Sequence, residues 1–368
     1  MARALDRGLR QTCQFMPDRI RSAPVGSQDE KFMRAALVEA RKGVGSVSPN
    51  PAVGAVLVRK GRIVARGYHR ATGLPHAEIE CLASAGRGSL REATLYITLE
   101  PCSTRGRTPP CTEAIARAGV GRVVIGATDV NPVHCGRGIR ELLNAGIEVS
   151  SGVLAAECSR LNEAFNKWIV TGRPFVIAKC GMSLDGRLTK SPNESRWLTS
   201  AASRRHAMQL RARVDAILIG AETLRQDNPR LTTRGIAGAK QPWRVVVSRS
   251  GNLPNEAHLF VDRFAARTLV YRAKTLDAVL ADLGRKEITS VLLEGGGDLL
   301  GHAFDRRLVD KVQFYIAPIF TGGPVLAVSG KGAPSTQDGA RLADVRYLQI
   351  AGDLCVTGYP TWSGGEVE

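Results

Sequence analysis

One short stretch of the sequence holds side chains that together can bind a metal ion and move a proton. His76 and Glu78 are two residues apart, and Cys102 and Cys111 each follow a proline. One imidazole and two thiolates form the protein ligand set of a catalytic zinc ion that keeps its fourth position open for water. Zinc lowers the pKa of that water toward about 7, and a neighbouring carboxylate can take its proton. We therefore predict that His76, Cys102 and Cys111 bind zinc and that Glu78 is the catalytic carboxylate.

The order of these residues matches the H-x-E and P-C signature of zinc nucleobase deaminases. Eight residues separate Cys102 from Cys111, where the common signature has two. A structural zinc site is the alternative interpretation, and it needs a fourth protein ligand, for which His69 and Cys81 are the candidates. The carboxylate of Glu78 favours the catalytic interpretation, because it can act as a general base beside the metal.

Composition narrows the class of protein. The chain has 368 residues, of which 43% are hydrophobic and 23% charged, as is ordinary for a globular protein of about two domains. A formal net charge of +17 suits an anionic ligand such as a phosphate ester or a phosphorylated cofactor. The sequence has no basic stripe with interleaved aromatic residues and no apolar run long enough to cross a bilayer. We expect a cytoplasmic protein that binds neither nucleic acid nor membrane.

Periodicity predicts an α/β domain in the first half of the chain. Apolar spacing indicates a helix at residues 30–41, and two apolar runs around Lys60-Gly61 indicate a hairpin at residues 53–67. Strands and helices then alternate, which is typical of a sandwich with a parallel or mixed sheet. The expected helices are residues 76–82, 112–118 and 138–145, and the expected strands are residues 93–99, 122–126 and 147–149.

A predicted helix at residues 157–170 and a linker at 171–174 precede a second strand–helix alternation. Its expected strands are residues 175–179, 216–219, 244–247, 268–271, 290–293 and 311–319. The chain thus divides into a mobile N-terminal extension (1–28), a zinc-binding domain (29–152), a connecting helix and linker (153–173), a second α/β domain (174–362) and a tail (363–368).

The second domain contains a glycine-rich loop after its expected strand at 290–293. Gly295, Gly296 and Gly297 would let the backbone approach a pyrophosphate at the start of a helix. The loop is not a G-x-G-x-x-G motif, so a Rossmann fold is poorly supported. By itself the loop is as compatible with a tight turn as with a nucleotide site.

Two sets of motifs resemble the two halves of the bifunctional riboflavin-biosynthesis deaminase/reductase family. The first set is Ser48 to Gly54, His76-Ala77-Glu78, Pro101-Cys102-Ser103 and Pro109-Pro110-Cys111; the second is Met182 to Arg187, Asp227 to Thr232 and Glu294-Gly295-Gly296. The resemblance spans roughly residues 29 to 362. It implies a cytidine-deaminase-like α/β/α sandwich followed by a dihydrofolate-reductase-like α/β domain, with one zinc ion in the first and NADPH in the second.

The resemblance also assigns residues to ligands. Contacts to the pyrimidine ribose phosphate in the deaminase would come from Asn50, His69, Arg107, Thr108, Asp129 and Asn131. NADPH would be bound by Gly181, Trp197, Thr223, Asp227, Gly296 and Gly297. The reductase substrate would be held by Ser195, Arg211, Leu231, Arg234 and Glu294, with Lys179 and Asp185 as possible catalytic residues. The residue types suit these tasks, since an amide can read a base edge and a guanidinium can clamp a phosphate.

The implied function is a zinc hydrolase joined to an NADPH-dependent oxidoreductase. Its reactions would be hydrolytic deamination of 2,5-diamino-6-(5-phosphoribosylamino)pyrimidin-4(3H)-one and reduction of the ribosyl side chain to give 5-amino-6-(5-phosphoribitylamino)uracil. A homo-oligomer formed through the reductase domain is also implied. Two alternatives stay open at this point: a nucleic-acid base deaminase and a zinc-stabilised binding module without activity. The long segment between Cys102 and Cys111 favours a small phosphorylated substrate over nucleic acid.

Overall fold

The computed structural model describes residues 28–86, 88–104, 109–188 and 197–362, and the chain divides into two compact units between Gly172 and Arg173. Residues 1–27 of the expected extension and the tail at 363–368 lie outside the described residues, as do Arg107, Thr108 and Ser195. Within the described ranges, no helix is long and apolar enough to cross a membrane.

The first unit is a five-stranded sheet with helices on both faces. Its strands are β1 (Gly54–Arg59), β2 (Arg62–Tyr68), β3 (Ala93–Leu99), β4 (Arg122–Ala127) and β5 (Glu148–Ser151). Its helices are α1 (Gln28–Arg41), α2 (Ala77–Ser84), α3 (Cys111–Ala118), α4 (Arg137–Asn144), α5 (Ala155–Leu161) and α6 (Glu163–Thr171). The strand order is β2-β1-β3-β4-β5, in which β1 is antiparallel to both neighbours and β3, β4 and β5 are parallel.

Alternate residues of each strand pack on opposite faces of this sheet. Leu57 of β1 belongs to a core cluster with Cys81 of α2 and Ile115 of α3. Its neighbour Val56 belongs to a second cluster with Met33 of α1. Because side chains alternate across a strand, one buried strand supplies both cores, and helices cover the sheet on both sides. The predicted α/β/α sandwich is therefore observed.

The predicted single helix at residues 157–170 is two helices, α5 and α6. They are separated at Asn162, which is 5% exposed. The Asn162 side chain accepts a hydrogen bond from Ala52 N at 2.8 Å and donates one to Ala52 O at 3.0 Å. The prediction of one helix was wrong because this contact joins residues far apart in sequence, which periodicity does not register.

The second unit is built on an eight-stranded sheet in the order β12-β13-β11-β6-β10-β7-β8-β9. Its strands are β6 (Phe175–Ser183), β7 (Ala216–Gly220), β8 (Trp243–Ser248), β9 (Thr268–Arg272), β10 (Ser290–Leu293), β11 (Lys311–Ala317), β12 (Arg341–Ile350) and β13 (Asp353–Thr361). Its helices are α7 (Ala201–Arg211), α8 (Ala221–Asp227), α9 (His258–Val261), α10 (Leu276–Arg285) and α11 (Gly297–Asp305). The strands from β11 to β9 are parallel, and β13 and β12 add an antiparallel edge.

The hairpin of β12 and β13 is absent from the six strands expected for this unit. Most residues of β12 are not buried, so the strand has no regular alternation of buried positions. The two-residue connection Ala351-Gly352 has positive φ at both positions, 47° and 93°. Such a turn is typical of a tight hairpin, and Gly352 is the residue in the sequence that could have indicated it.

Gly67 of β2 lies where α2 comes closest to the sheet. A Cβ at this position would lie 2.3 Å from Ala77 O and 2.4 Å from Cys81 N, so a side chain must push α2 away. We expect Gly67→Ala to destabilise the first unit by about 1–3 kcal/mol, measured by urea unfolding. Gly220→Ala is the control, because its added Cβ meets no atom within 4 Å. An equal loss of stability in both variants would contradict this explanation.

Candidate active sites

The three predicted zinc ligands meet where two helices begin. His76 immediately precedes α2, Cys111 is the first residue of α3, and Cys102 lies in the segment after β3. His76 Nδ1 is 3.3 Å from Cys111 Sγ and 3.6 Å from Cys102 Sγ, and the three atoms lie within 4.8 Å of one another. Ligand atoms bound tetrahedrally to one zinc ion are roughly 3.5 Å apart. The donor set and its spacing therefore suit zinc.

A hydrogen bond joins the two thiols of this cluster. It lowers the pKa of Cys102 well below the usual range of a thiol, against the opposing effect of burial. The same bond raises the pKa of Cys111, because its proton is held by the neighbouring thiolate. The backbone N–H of Cys111 also points at Cys102 Sγ, 3.4 Å away. Thiolate is the form that binds metal, and a metal displaces such a shared proton.

Glu78 lies in the first turn of α2 and is 3% exposed. Burial raises the pKa of its carboxyl to about 7, and the negative charge of Cys102 acts in the same direction. Among the described residues the ligand cluster consists of His76, Cys102 and Cys111, without Glu78. A carboxyl with this pKa gains and loses a proton readily at neutral pH, as general acid–base catalysis requires.

The two candidates for a fourth protein ligand have other surroundings. His69 Nε2 is 3.2 Å from Asn50 Nδ2, and His69 Nδ1 is 3.1 Å from Pro75 O. Cys81 is fully buried in the core, and burial raises the pKa of its thiol to about 12. Within the described ranges the cluster therefore offers three candidate protein ligands, which is the number found in an open, catalytic zinc site.

The described residues predicted to contact the deaminase substrate lie on two segments. Asn50 and His69 are joined by their side chains, and the His69 ring is 5.3 Å from the ring of His76. Asp129 follows β4, where it accepts a hydrogen bond from Asn131 N at 2.9 Å. Burial raises the pKa of Asp129, and the charge of Cys102 adds to this effect. The structure thus places His69 beside the predicted zinc ligand His76, and Asp129 close enough to the predicted ligand Cys102 for their charges to interact.

A cavity of about 400 Å³ in the second unit brings together residues predicted for both of its ligands. Trp197 and Asp227 come from the predicted NADPH set, and Arg211, Leu231 and Arg234 come from the predicted substrate set. The remaining lining residues, which sequence reasoning did not assign, are Asn228, Pro229, Arg230 and His258. Asn228 Oδ1 accepts a hydrogen bond from His258 N at 2.8 Å, which fixes one wall. The sequence Asp-Asn-Pro-Arg at residues 227–230 is the feature that could have indicated this part of the cavity lining.

Glu294 holds two cations at this site. Its two carboxylate oxygens accept hydrogen bonds from Arg211 Nε and Nη2, each at 2.7 Å. Lys179 Nζ is 3.9 Å from Glu294 Oε2. Burial by itself would raise the pKa of Glu294, but the charges of Arg211 and Lys179 outweigh it and lower the pKa to about 2. The structure therefore joins three predicted reductase residues in one charged cluster.

The glycine-rich loop leads from β10 into α11. Gly296 precedes this helix, and its N–H donates to Thr223 Oγ1 at 3.1 Å, so two predicted NADPH residues are in contact. A Cβ at Gly297 would lie 2.1 Å from Leu326 O, so close backbone packing also requires glycine there. A third predicted NADPH residue, Gly181, lies beside Thr199. A helix start with glycines suits the phosphates of a dinucleotide.

Among the described contacts, the Asp185 carboxylate binds backbone N–H groups and does not contact the cluster of Arg211, Lys179 and Glu294. Its carboxylate accepts hydrogen bonds from Thr321 N at 3.2 Å and Gly322 N at 2.9 Å. A hydrogen bond from Ser183 is the largest cause that lowers the pKa of Asp185 to about 2, and the two backbone amides add to it. These contacts indicate that Asp185 holds the loop at 321–322.

Comparison with known proteins accounts for both units. The family model described as the cytidine and deoxycytidylate deaminase zinc-binding region matches residues 26–127, and the RibD C-terminal domain matches residues 174–356. The riboflavin biosynthesis protein RibD of Synechocystis sp. is 41% identical over 356 residues, covering 90% of this chain and 96% of that protein. The Escherichia coli protein of the same name is 40% identical over 363 residues, covering 89% and 98%. This chain belongs to the RibD family.

Solved structures of RibD proteins agree with this assignment. Acinetobacter baumannii RibD is 34% identical with a TM-score of 0.82, covering 91% of this chain and 99% of that one. A Thermotoga maritima diaminohydroxyphosphoribosylaminopyrimidine deaminase/5-amino-6-(5-phosphoribosylamino)uracil reductase is also 34% identical, with a TM-score of 0.80 and the same coverage. The predicted fold class and the bifunctional deaminase/reductase family are confirmed. The cofactors of this RibD protein are zinc and NADPH.

Replacement of Glu294 tests the charged cluster of the reductase unit. We expect Glu294→Ala to cost about 2–3 kcal/mol in stability of this unit, because the half-buried Arg211 loses both of its hydrogen bonds to the carboxylate. Glu294→Gln keeps the shape, and we expect it to lower NADPH-dependent reduction at least tenfold while deamination is unchanged. The control is Asp277→Asn, which weakens two half-exposed ion pairs, with Arg306 at 3.2 Å and with Arg173 at 3.7 Å, and should leave both activities unchanged. Normal reduction by Glu294→Gln would contradict a role for this carboxylate.

Proposed function

We propose that this RibD protein deaminates 2,5-diamino-6-(5-phosphoribosylamino)pyrimidin-4(3H)-one and then reduces the product to 5-amino-6-(5-phosphoribitylamino)uracil. The observation that carries the proposal is the cluster of His76, Cys102 and Cys111 beside the buried Glu78, in one chain with a reductase unit. The Thermotoga maritima relative carries the same two activities in its name. Both substrates and NADPH are anionic, which suits the net charge of +17.

In the deaminase unit, we assign the zinc ion to His76, Cys102 and Cys111. Zinc supplies the Lewis acidity that makes water a nucleophile at neutral pH. Glu78 takes a proton from the attacking water and delivers it to the departing amino group. The ring carbon gains an oxygen as its bond to nitrogen breaks, so that one water is consumed and one ammonia is released. Glu78 is buried in the first turn of the helix that His76 precedes, which suits it for both proton transfers.

The substrate of this unit needs contacts to its base and to its phosphate. We assign the base edge to the Asn50 amide, which His69 holds in place at 3.2 Å. Asp129 and Asn131 contact the substrate from the segment after β4. Arg107 and Thr108 are the proposed phosphate contacts, since a guanidinium and a hydroxyl both donate hydrogen bonds to phosphate oxygens.

In the reductase unit, we propose that the ribose phosphate occupies the cavity at Arg211. Arg211, Arg234 and Ser195 donate to its oxygens, Leu231 packs against it, and Glu294 keeps Arg211 oriented. NADPH supplies the hydride and is held by Gly181, Trp197, Thr223, Asp227, Gly296 and Gly297. Lys179, whose ammonium is held near Glu294, supplies the proton to the sugar oxygen.

We further propose a homo-oligomer formed through the reductase unit. β12 is the edge strand of the eight-stranded sheet, and its Tyr347 and Leu348 are 68% and 50% exposed. An exposed edge strand with large apolar side chains favours pairing with a second copy. We also propose a cytoplasmic location, which would supply both the phosphorylated substrate and NADPH.

The decisive assay supplies the diaminopyrimidine ribotide with and without NADPH. We expect ammonia without NADPH, and NADPH oxidation only after deamination.

Glu78→Ala should keep about one zinc per chain, lose at least a hundredfold in ammonia release and still reduce the deaminated product. Cys102→Ser should lose both zinc and ammonia release. Zinc loss in Glu78→Ala would instead make Glu78 a ligand, and ammonia release by Cys102→Ser would refute the site.

A further inference from the structure

Glu100 is a buried carboxylate that the zinc chemistry does not use. It follows β3 directly, lies two residues before Cys102, and is 4% exposed. Its Oε2 accepts hydrogen bonds from Asp129 N at 3.1 Å and from Gly136 N at 3.0 Å. Its Oε1 accepts one from Ile139 N at 3.3 Å. One side chain therefore binds both ends of the segment 129–136 and the first turn of α4.

The sheet brings this carboxylate and this segment together. β3 and β4 are parallel neighbours, so the segments after them leave the same edge of the sheet. Glu100 N donates to Ala127 O at 2.9 Å, which continues the pairing past the end of β3. A Cβ at Gly138 would lie 2.2 Å from Pro101 O. The start of α4 thus packs directly on residues 100–101, without room for a side chain between them.

The zinc ligands are fixed by other contacts. Cys102 Sγ accepts the N–H of Cys111, and Cys102 O accepts the N–H of Thr112 at 3.3 Å. Glu78 lies on α2. None of the three backbone N–H groups bound by Glu100 belongs to this helix. Loss of the Glu100 carboxylate should therefore displace the segment with Asp129 and Asn131 and leave the ligand cluster in place.

We propose that Glu100 is a positioning residue of the deaminase, which fixes the substrate-contacting segment 129–136 relative to the zinc-ligand segment 101–102. The inference rests on the proposed function, in which Asp129 and Asn131 contact the substrate. A carboxylate suits this position because all three of its partners are N–H donors. A glutamine offers one oxygen and turns its own N–H groups toward at least one of these donors. Glu100 therefore acts on substrate binding through the backbone of its neighbours.

The test compares Glu100→Gln with Glu39→Gln in the full-length, zinc-loaded protein. Glu39 is also 4% exposed and lies in the same unit, but its carboxylate binds the side chains of Lys42 and Arg66. In Glu100→Gln we expect the KM for the diaminopyrimidine ribotide to rise about tenfold or more, since a hydrogen bond to a charged group is lost. We expect kcat to change less than threefold, with about one zinc per chain and normal reduction. Glu39→Gln should leave KM unchanged.

Two outcomes would overturn the proposal. An unchanged KM in Glu100→Gln would show that the segment does not depend on this carboxylate. A fall in kcat together with zinc loss would show that Glu100 acts through the ligand segment instead.

If the unaltered protein releases no ammonia from the ribotide, the proposed function fails, and amide hydrogen exchange then decides the claim about Glu100. Faster exchange at residues 129, 136 and 139 in Glu100→Gln supports it, and unchanged exchange refutes it.

Discussion

A zinc ion bound by three side chains requires three ligand atoms within a few ångströms of one another. The helices and strands of the first unit bring the predicted ligand atoms that close. They come from residues far apart in sequence: His76 before α2, Cys102 after β3 and Cys111 at the start of α3. α2, which His76 precedes, packs so closely on the sheet that Gly67 has no room for a side chain. The start of α3 also directs the N–H of Cys111 toward Cys102 Sγ, which favours thiolate over thiol.

A second layer of contacts surrounds this cluster. Thr112, which follows Cys111, donates to Glu141 of α4 at 2.7 Å. Glu100, which precedes the other cysteine segment, binds the start of the same helix. α4 is thus linked to both cysteine-bearing segments, and Glu100 also binds the backbone of Asp129, one of the residues predicted to contact the substrate. In the second unit, the bidentate pair of Arg211 and Glu294 has a comparable role, because it ties the end of α7 to the end of β10.

Local spacing predicted the cluster of His76, Cys102 and Cys111 that the structure brings together. His76, Glu78, Cys102 and Cys111 sit next to helix starts and prolines, so their chemistry could be inferred from a few neighbours in sequence. The central strands were predictable because hydrophobic residues alternate or follow one another continuously in their sequences. Contacts between distant segments could not be inferred in this way. The break at Asn162 depends on Ala52, and the role of Glu100 depends on N–H groups that lie 29, 36 and 39 residues further along the chain.

We propose that zinc in this RibD protein has three protein ligands, His76, Cys102 and Cys111, and one position open to water. X-ray absorption at the zinc edge of the zinc-loaded protein measures these ligands. We expect two sulfur ligands at about 2.3 Å and two nitrogen or oxygen ligands at about 2.0–2.1 Å, of which one oxygen is exchangeable. Three or four sulfur ligands, or a complete set of protein ligands without exchangeable oxygen, would contradict it.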